Sequence, residues 1–368
     1  MRVLHVVASS QRRGAEVFAA DLVRSLGRAG IEQRVIALRG SRDPIRFDAE
    51  LTVLSPNGRV APRLRIQIGS VRALRSAIRD WSPQIVNVHG GEPLKYVVLA
   101  GLGRSFGLLY RKIGAAPNLS PRSVRRAAHA ALMRRADVVV AVADCIRCEA
   151  IEVFGLSEHR VVTIPNAVEA ARVFPASSRE EARRTLGVLA DAPVVLFLGA
   201  LSEEKAPLDF IEVADRLVLH RPDVLLLMAG NGPKRAEVET AVRDRGLGGT
   251  VRILGSRADV ATLLSACDVV AITSRTEGMP GAVIEAGLAA RPVVGYAVGG
   301  VPEVVVDGQT GLLTPPMDVE SLTRALLVMF ENDELRDRMG EAARERCLRS
   351  FEMRAVAPCY LDLYRQLS

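Results

Sequence analysis

The sequence predicts an α/β protein built from two doubly wound domains. Its 368 residues suit two domains of about 100–200 residues each. Short runs of valine, isoleucine and leucine alternate with stretches of helical periodicity, which is typical of buried parallel strands joined by crossover helices. Polar and glycine-rich loops directly follow several of these runs. Because ligands bind beyond the carboxyl ends of parallel strands, we expect the functional residues in these loops.

Five strands are predicted in the first half of the chain and six in the second. The candidates in the first half are Val3–Ala8, Gln33–Leu38, Ile85–His89, Val138–Val142 and Val161–Ile164. Those in the second half are Val194–Leu198, Val224–Ala229, Val251–Leu254, Val269–Ile272, Pro292–Tyr296 and Gly311–Leu313. The polar stretch after Ile164-Pro165-Asn166 separates the two sets. The predicted domains are residues 1–170 and 171–345, with a final helix over 346–368.

Charge is divided unevenly between the two halves. Residues 1–175 carry a net charge of +13 and the remainder −6. A basic first half favours an anionic partner. Arg122, Arg125, Arg126 and His129 fall on one helical face, followed by Arg134 and Arg135. This helix either contacts anionic lipid at a membrane surface or presents a solvated face, and the solvated face is the favoured interpretation.

Three features predict the cellular compartment: the length of the apolar runs, the residues after the N-terminal run and the cysteine pattern. No apolar run reaches the roughly 18 residues of a membrane-spanning helix, and the N-terminal run leads into Gln11-Arg12-Arg13 rather than a cleavage site. Five scattered cysteines suit a reducing compartment. We therefore expect a cytoplasmic protein, with peripheral contact at the inner membrane face as the alternative. Cys145-Ile-Arg-Cys148 is a redox pair, half a zinc site or, as we favour, part of an ordinary helix.

The most informative stretch is Thr276–Ala286, TEGMPGAVIEA, which holds two carboxylates separated by seven residues. Its glycines and proline predict a turn from a strand into a helix that begins near Gly281. Glycines let a ligand approach the backbone, and the free N–H groups of a helix start favour anions. Carboxylates accept hydrogen bonds from hydroxyl groups. From these residues alone, a site for a hydroxyl-rich ligand and a pair of solvated acids are equally supported.

Glu277-Gly-Met-Pro-Gly-Ala-Val-Ile-Glu285-Ala286 resembles the E-x7-E signature of the retaining glycosyltransferases of family 4. Gly299–Val305 and Thr310–Leu313 resemble the family's G-G-x-P-E-x-V and T-G-x-L stretches, and Arg13–Glu16 resembles its G-G-x-E loop. The resemblance implies the GT-B fold, in which two Rossmann-like domains face a central cleft and a C-terminal helix returns to the N-terminal domain. It also implies sugar transfer from a nucleotide-diphosphate sugar to an acceptor hydroxyl, with retained anomeric configuration.

The resemblance also implies residue roles. Glu285 would hold the ribose hydroxyls, Lys205 would neutralise the diphosphate, and His89 would reach the donor sugar near the reacting carbon. The implied catalytic residues are Glu277, His89 and Lys205. The implied donor-binding residues are Gly14, Asn166, Lys205, Gly278, Met279, Pro280, Gly281 and Glu285. No D-x-D occurs in the chain, so neither a metal nor a cofactor beyond the donor substrate is expected.

The main departure from the family pattern lies at Ala200, where an arginine usually precedes the lysine of the phosphate-binding stretch. Arg275, Arg12 and Arg13 are candidate replacements, and the sequence does not choose among them. Each of three residues also has a purely structural alternative. His89 would be a structural histidine, Lys205 a surface lysine and Asn166 part of a turn.

The residues bear on three classes of function. The resemblance favours the transferase, whose acceptor is a glycan, a lipid-linked molecule or a small molecule. The alternative is a catalytically weak sugar-nucleotide-binding or scaffolding protein, which Ala200 would support. A dinucleotide oxidoreductase is excluded because no G-x-G-x-x-G follows a strand; Phe106 interrupts the nearest match, at Gly101-Leu-Gly103. Nucleic acid is not an expected partner, since aromatic residues are not interleaved with the basic ones.

Overall fold

A computed structural model describes residues 1–41, 43–55, 66–103, 105–115, 123–174 and 178–368. The chain divides into two compact units. Unit 1 is Met1–Ala167 together with Met353–Ser368, and unit 2 is Val168–Glu352. The predicted domain limits at 170 and 345 therefore both fall within unit 2. The limits of the compact units follow the packing, because Ala167 and Met353 belong to the core of unit 1, whereas the Val168 N–H donates to the Phe351 carbonyl within unit 2 at 3.0 Å.

Within the described residues, unit 1 contains a seven-stranded parallel sheet of order β3-β2-β1-β4-β5-β6-β7. The strands are β1 (Arg2–Ser9), β2 (Glu32–Arg39), β3 (Glu50–Val53), β4 (Ile85–His89), β5 (Gly107–Lys112), β6 (Val138–Ala141) and β7 (Val161–Thr163). The helices between them are α1 (Gly14–Arg28), α2 (Ile68–Trp81), α3 (Gly91–Ala100), α4 (Val124–Met133) and α5 (Asp144–Glu152). The order reverses at β1, so the crevice beside its carboxyl end is the expected binding position.

Unit 2 repeats this design with a six-stranded parallel sheet of order β10-β9-β8-β11-β12-β13 in its described part. The strands are β8 (Val194–Leu198), β9 (Leu225–Ala229), β10 (Val251–Gly255), β11 (Val269–Ile272), β12 (Val293–Tyr296) and β13 (Gly311–Thr314). The helices are α6 (Arg179–Leu186), α7 (Pro207–His220), α8 (Arg235–Asp244), α9 (Val260–Ala266), α10 (Gly281–Leu288), α11 (Val301–Val304), α12 (Val319–Glu331) and α13 (Asp333–Ser350). The order reverses between β8 and β11. Two Rossmann-like parallel sheets confirm the predicted fold class.

The last helix, α14 (Met353–Leu367), belongs to unit 1, as the predicted fold required. It starts later than the predicted residue 346, because residues up to Ser350 complete α13. Tyr360 and Tyr364 are buried against the core that includes Phe18 of α1. The Asn87 side chain donates to the Tyr364 hydroxyl at 2.6 Å, which ties α14 to β4.

Two strands of unit 1 were not predicted, and each has a physical reason. The short strand β3 lies at the edge of the sheet, and its four residues alternate between exposed and half-buried. The strand β5 ends in Arg111 and Lys112, which resemble a polar loop in the sequence although both side chains are buried. Burial of two cations at a strand end is not visible from hydropathy.

The C-terminus of α10 offers a test of backbone strain. Ala290 follows this helix with φ of +54°, in the left-handed region where a side chain is unfavourable. Ala290→Gly is therefore expected to raise the free energy of unfolding of unit 2 by about 0.5–1 kcal/mol. Urea unfolding followed by far-ultraviolet circular dichroism measures the change. Ala289→Gly, at a φ of −86°, is the matched control and is expected to be destabilising; a lower urea midpoint for Ala290→Gly would contradict the prediction.

Candidate functional site

Three polar side chains meet at the carboxyl ends of β8 and β11, where the strand order of unit 2 reverses. Lys205 Nζ lies 2.5 Å from Glu277 Oε1, and Ser274 Oγ donates to the same oxygen at 2.6 Å. The Glu277 side chain is 8% exposed and that of Lys205 29%. A small pocket beside them is lined by Phe197, Leu198, Lys205, Ala271, Ile272, Thr273, Ser274, Glu277, Pro280 and Ala282. The cluster combines a partly exposed cation with a buried carboxylate beside a pocket lined largely by apolar residues.

The backbone around Lys205 is held independently of its side chain. The Thr273 hydroxyl lies 3.0 Å from the carbonyl of Lys205 and 3.1 Å from that of Ala206, and it donates to both. The loop after β9 packs directly on the loop after β8, since a Cβ on Gly230 would lie 1.7 Å from the carbonyl oxygen of Gly199. These contacts fix where the lysine stem begins.

The turn after β11 is fixed in a similar way. The Gly300 N–H donates to the Gly278 carbonyl at 2.8 Å. Gly299 has φ of +52°, and a Cβ there would lie 1.9 Å from the Glu277 carbonyl oxygen, so only glycine fits. The helix α10 then begins at Gly281, as predicted, with Pro280 as its N-cap. Its first backbone N–H groups precede the first intrahelical hydrogen bonds and provide an anion-binding start.

Glu285 lies on α10, one turn into the helix, and forms an ion pair with Arg172. Arg172 belongs to the short 3₁₀ turn at residues 170–172. Both side chains are largely buried, with 13% of Glu285 and 19% of Arg172 exposed. Arg172 was not predicted as a site residue, because it lies 113 residues away in sequence and carries no motif of its own.

Two further cations lie beside the loop that contains Ala200. Arg275 Nη1 contacts Glu203 Oε1 at 2.9 Å, and Lys234 Nζ lies 3.0 Å from Glu203 Oε2. Lys234 also contacts Glu237 at 2.8 Å. Glu203 thus holds Arg275, one of the three arginines considered as a replacement for the one missing at Ala200. The other two, Arg12 and Arg13, are exposed residues of unit 1.

In unit 1, His89 is the last residue of β4 and is buried, with 1% of its surface exposed. Its Nε2 lies 3.1 Å from Nδ1 of His5, and the two rings are 23° from parallel with centroids 5.4 Å apart. Burial lowers the pKa of His5 to about 4. Burial, together with the neighbouring His5 and Arg111, also holds the pKa of His89 well below its usual value. Both imidazoles are therefore neutral at pH 7.

Asn166 and His89 both neighbour a buried arginine, Arg111, that was not predicted as a site residue. Arg111 is paired with His89 in the β4–β5 register and donates through Nη2 to Asn166 Oδ1 at 2.8 Å. Its guanidinium lies 3.6 Å from the centroid of the Phe18 ring, and burial lowers its pKa. Asn166 therefore stabilises a buried cation at the carboxyl edge of this sheet. The next residue, Lys112, forms a buried ion pair with Glu149.

The start of α1 carries Gly14, which is exposed and has room for a Cβ. Among the described residues of unit 1, no contact requires glycine there. Glu16 on the same helix is buried; its carboxylate accepts from the Ser9 N–H at 3.3 Å, and burial raises its pKa. Nearby on the sheet edge, Arg39 forms a two-point ion pair with Glu92. Unit 1 therefore presents a sheet edge of mixed charge around its strand-order reversal.

The predicted basic face of α4 is partly occupied by contacts within unit 1. Arg126 donates to the Val153 carbonyl at 2.8 Å, and the His129 ring packs edge-on against Phe154. Arg134 donates to the Phe154 carbonyl at 3.1 Å. Arg122 lies outside the described residues. Contact with an anionic membrane stays a prediction; among the described helices, none is long and apolar enough to cross a bilayer.

Cys145 and Cys148 are exposed residues on α5. Across the part of the chain that the structure describes, no three residues of the metal-binding types cluster together. The favoured interpretation of this C-x-x-C, an ordinary helical pair, agrees with its placement.

Comparison with known families assigns both parts of the chain. Residues 178–346 match the family model described as "Glycosyl transferases group 1", and residues 12–172 match that described as "Glycosyltransferase Family 4". The chain carries two glycosyltransferase domains. The match to the group 1 model includes Lys205, Ser274, Glu277 and Glu285, so the site in unit 2 lies within the matched region.

Individual relatives agree with this assignment. A D-inositol 3-phosphate glycosyltransferase from Kineococcus radiotolerans is 33% identical over 64% of this chain, which covers 58% of that relative's length. A 2-deoxystreptamine N-acetyl-D-glucosaminyltransferase from Streptomyces fradiae is 29% identical over 85% of this chain and 81% of its own. The Anabaena protein HepE, solved in complex with UDP-glucose, shares the fold with a TM-score of 0.84, 22% identity and complete coverage of both chains. The glycosyltransferase domains thus have the GT-B fold.

Proposed function

We propose that this protein transfers a sugar from a nucleotide-diphosphate sugar to an acceptor hydroxyl, with retention of the anomeric configuration. The observation that carries the proposal is the cluster of Lys205, Ser274 and Glu277 at the strand-order reversal of unit 2, beside the start of α10. In this arrangement Lys205 neutralises the diphosphate and Glu277 binds sugar hydroxyls. The backbone from Gly278 to Gly281 lines the sugar, and Glu285 accepts from the ribose hydroxyls.

The chemistry requires such a cation because negative charge develops on the leaving diphosphate. A preorganised donor aimed at that charge contributes about 2.7–4 kcal/mol to the barrier reduction. The leaving phosphate itself can take the proton of the acceptor hydroxyl on the same face of the sugar. No separate general acid is then required, which fits a cluster with one cation and one carboxylate.

We assign the acceptor to unit 1, where Arg39 at the end of β2 pairs with Glu92 of α3 beside the carboxyl edge of the sheet. Such an edge suits a polar acceptor that donates and accepts many hydrogen bonds. Two relatives are named for small cyclic polyols, inositol phosphate and 2-deoxystreptamine. These names favour a small polyhydroxylated acceptor over a long glycan, and a lipid-linked acceptor is the next candidate.

Binding to a panel of UDP-, GDP-, ADP- and dTDP-sugars, measured by thermal shift, tests the donor half of the proposal. We expect one nucleotide class to raise the melting temperature, and Glu285→Ala to weaken that binding about tenfold or more, because a hydrogen bond to a charged group contributes about 1.5–3 kcal/mol. Since Glu285 also pairs with Arg172, Arg172→Ala is the matched control. It breaks the same ion pair and leaves the carboxylate in place, so binding is expected to persist.

Two outcomes would count against this assignment of Glu285. Equal loss of binding in both variants would mean that the ion pair, not the ribose contact, matters. Unchanged binding in both would remove Glu285 from the site. Once a donor is known, proton NMR of the product at its anomeric carbon tests retention, and an inverted product would overturn that part of the proposal.

Ala200 favours a second candidate, a sugar-nucleotide-binding protein with little turnover. The residue is exposed on the loop after β8, and the neighbouring Arg275 is engaged by Glu203. Donor binding without transfer to inositol phosphate, aminocyclitol or lipid-linked acceptors would select this candidate over the transferase.

A further inference from the structure

Four buried polar atoms in unit 1 have no hydrogen-bond partner among the residues that the structure describes. They are Asn87 Oδ1, His89 Nδ1, Arg111 Nε and the hydroxyl oxygen of Tyr360. The four residues are at most 2% exposed, so bulk solvent does not satisfy these atoms. A buried polar atom without a partner is costly, and folded proteins contain few of them. Four in one unit therefore call for a ligand or a bridging molecule.

Three of these atoms lie on one face of the parallel sheet. His89 of β4 is paired with Arg111 of β5, and Asn87 lies two residues before His89 on the same face of its strand. The ring of Phe18, on α1, covers this face: it lies 3.6 Å from the Arg111 guanidinium and 6.2 Å, between centroids, from the His89 ring.

The fourth atom reaches the same place from α14. The helix runs antiparallel to the strands, since its Leu367 lies against Gly107 at the start of β5. Tyr364 accepts from Asn87 at 2.6 Å, and Tyr360 lies one turn earlier in the helix. Four residues of helix span about 6 Å, and two residues of strand span about 6.6 Å. Tyr360 therefore lies level with the last residue of β4, as Tyr364 lies level with Asn87.

The electrostatics agree that Tyr360 and Arg111 are neighbours. The Tyr360 ring packs on Phe18 with centroids 5.7 Å apart. Burial lowers the pKa of Arg111 and raises that of Tyr360, and each group partly offsets the shift of the other. Among the described residues, no carboxylate contributes to the shift at Arg111. The buried cation therefore depends on neutral groups.

The protonation of His89 follows from a row of hydrogen bonds. The Gln33 Nε2 donates to the Val23 carbonyl at 2.8 Å, so Gln33 Oε1 is the atom that faces His5 Nε2, at 3.0 Å. His5 Nε2 must then carry a proton, and the other nitrogen of this neutral ring accepts. His89 Nε2, 3.1 Å from His5 Nδ1, is the donor to it. His89 Nδ1 is consequently an acceptor.

The four atoms thus require both a donor and an acceptor between them. Arg111 Nε only donates and the Tyr360 hydroxyl can donate, whereas Asn87 Oδ1 and His89 Nδ1 accept. An anion would satisfy the two donors alone. A cation would satisfy the two acceptors alone and would be repelled by the guanidinium. A water molecule can accept two hydrogen bonds and donate two.

We propose that Asn87, His89, Arg111 and Tyr360 bind an internal water molecule, which accepts from the arginine and the tyrosine and donates to the asparagine and the histidine. Internal water in proteins typically makes about three hydrogen bonds, to groups that would otherwise be unsatisfied. This water solvates the buried cation and joins α14 to β4 and β5. Both ring nitrogens of His89 are then engaged within unit 1, and the inference does not rest on the proposed function.

A crystal structure of the full chain, at a resolution that shows ordered water, tests the site directly. We expect one water at hydrogen-bond distance, about 2.7–3.2 Å, from all four atoms. Direct contact of Tyr360 with Arg111, with no water between the side chains, would overturn the proposal.

The sign of a stability change gives a second test in solution. If the Tyr360 hydroxyl donates to water, Tyr360→Phe removes a hydrogen bond and lowers the urea midpoint of unit 1, measured by Trp81 fluorescence. If that hydroxyl had no partner, its removal would relieve a penalty and raise the midpoint. Tyr364→Phe is the matched control, because its hydroxyl bonds directly to Asn87, and a lower midpoint is expected. An unchanged or raised midpoint for Tyr360→Phe would count against the bound water.

Discussion

Lys205→Ala is expected to lower kcat for sugar transfer by about 10²–10³-fold, because it removes the cation assigned to the leaving diphosphate. The Thr273 hydroxyl holds the carbonyls of residues 205 and 206, so the backbone should stay in place without the lysine side chain. Glu277 keeps its hydrogen bond from Ser274. Initial rates with the donor identified by the binding panel measure the effect, and circular dichroism checks that the variant is folded.

Lys234→Ala is the matched control for this prediction. Lys234 is as exposed as Lys205, 27% against 29%, and it also lies beside the loop after β8, where it contacts Glu203 and Glu237. If the loss at Lys205 reflects a specific contact, Lys234→Ala should retain kcat within about threefold. Similar losses in both variants would show that only the general positive potential matters, and a small loss at Lys205 would remove it from the catalytic residues.

The contact between Lys205 and Glu277 has a consequence for the order of events. If Lys205 binds the diphosphate as proposed, it cannot give its full charge to both Glu277 and the donor, so the donor would compete with the carboxylate for the ammonium group. Ser274 lowers the penalty of this exchange, since its hydroxyl keeps Glu277 Oε1 paired at 2.6 Å. Lys205 is the more exposed partner, 29% against 8%, so in the proposed exchange we expect the lysine to move and the carboxylate to stay.

The fold was predictable where a buried strand consists of apolar residues. The central strands β8 and β11 of unit 2 are short apolar runs, because both faces of a central parallel strand are covered. The same rule missed β5, since Arg111 and Lys112 are buried by specific partners, Phe18, Asn166 and Glu149, rather than by their own hydropathy. A strand that depends on such pairing cannot be recognised from one sequence.

The sequence predicts where the candidate site residues lie along the chain. It does not predict which side chains they contact. That Lys205 and Glu277 would lie near each other follows from their places after neighbouring strands, 72 residues apart in sequence. The partners of Glu285 and His89 do not follow from any such rule. Arg172 reaches Glu285 from a 3₁₀ turn, and His5 reaches His89 from the middle of β1. These contacts depend on side-chain conformations that spacing does not specify.

The largest stability effect is expected for Asp268→Ala, at about 3–5 kcal/mol of lost unfolding free energy. Asp268 Oδ2 accepts from Arg183 Nη2 at 2.9 Å and from the Val194 N–H at 2.8 Å, at the first residue of β8. Arg179 contacts the other carboxylate oxygen. The Arg183 and Asp268 side chains are only 2% and 4% exposed. Without Asp268, Arg183 becomes a buried cation held only by backbone carbonyls, and a strand N–H loses its acceptor.

The single tryptophan, Trp81, lets the unfolding of unit 1 be measured separately from that of the whole chain. Trp81 lies in unit 1 and Asp268 in unit 2, so circular dichroism follows both units in urea while tryptophan fluorescence follows unit 1. We expect the unit 2 transition alone to move to lower urea. Glu320→Ala, which breaks an ion pair that is about two-thirds exposed, should cost no more than about 0.5 kcal/mol. If the two variants lost similar unfolding free energy, the Asp268 network would contribute no more than a surface ion pair. Other contacts would then have to stabilise the buried Arg183.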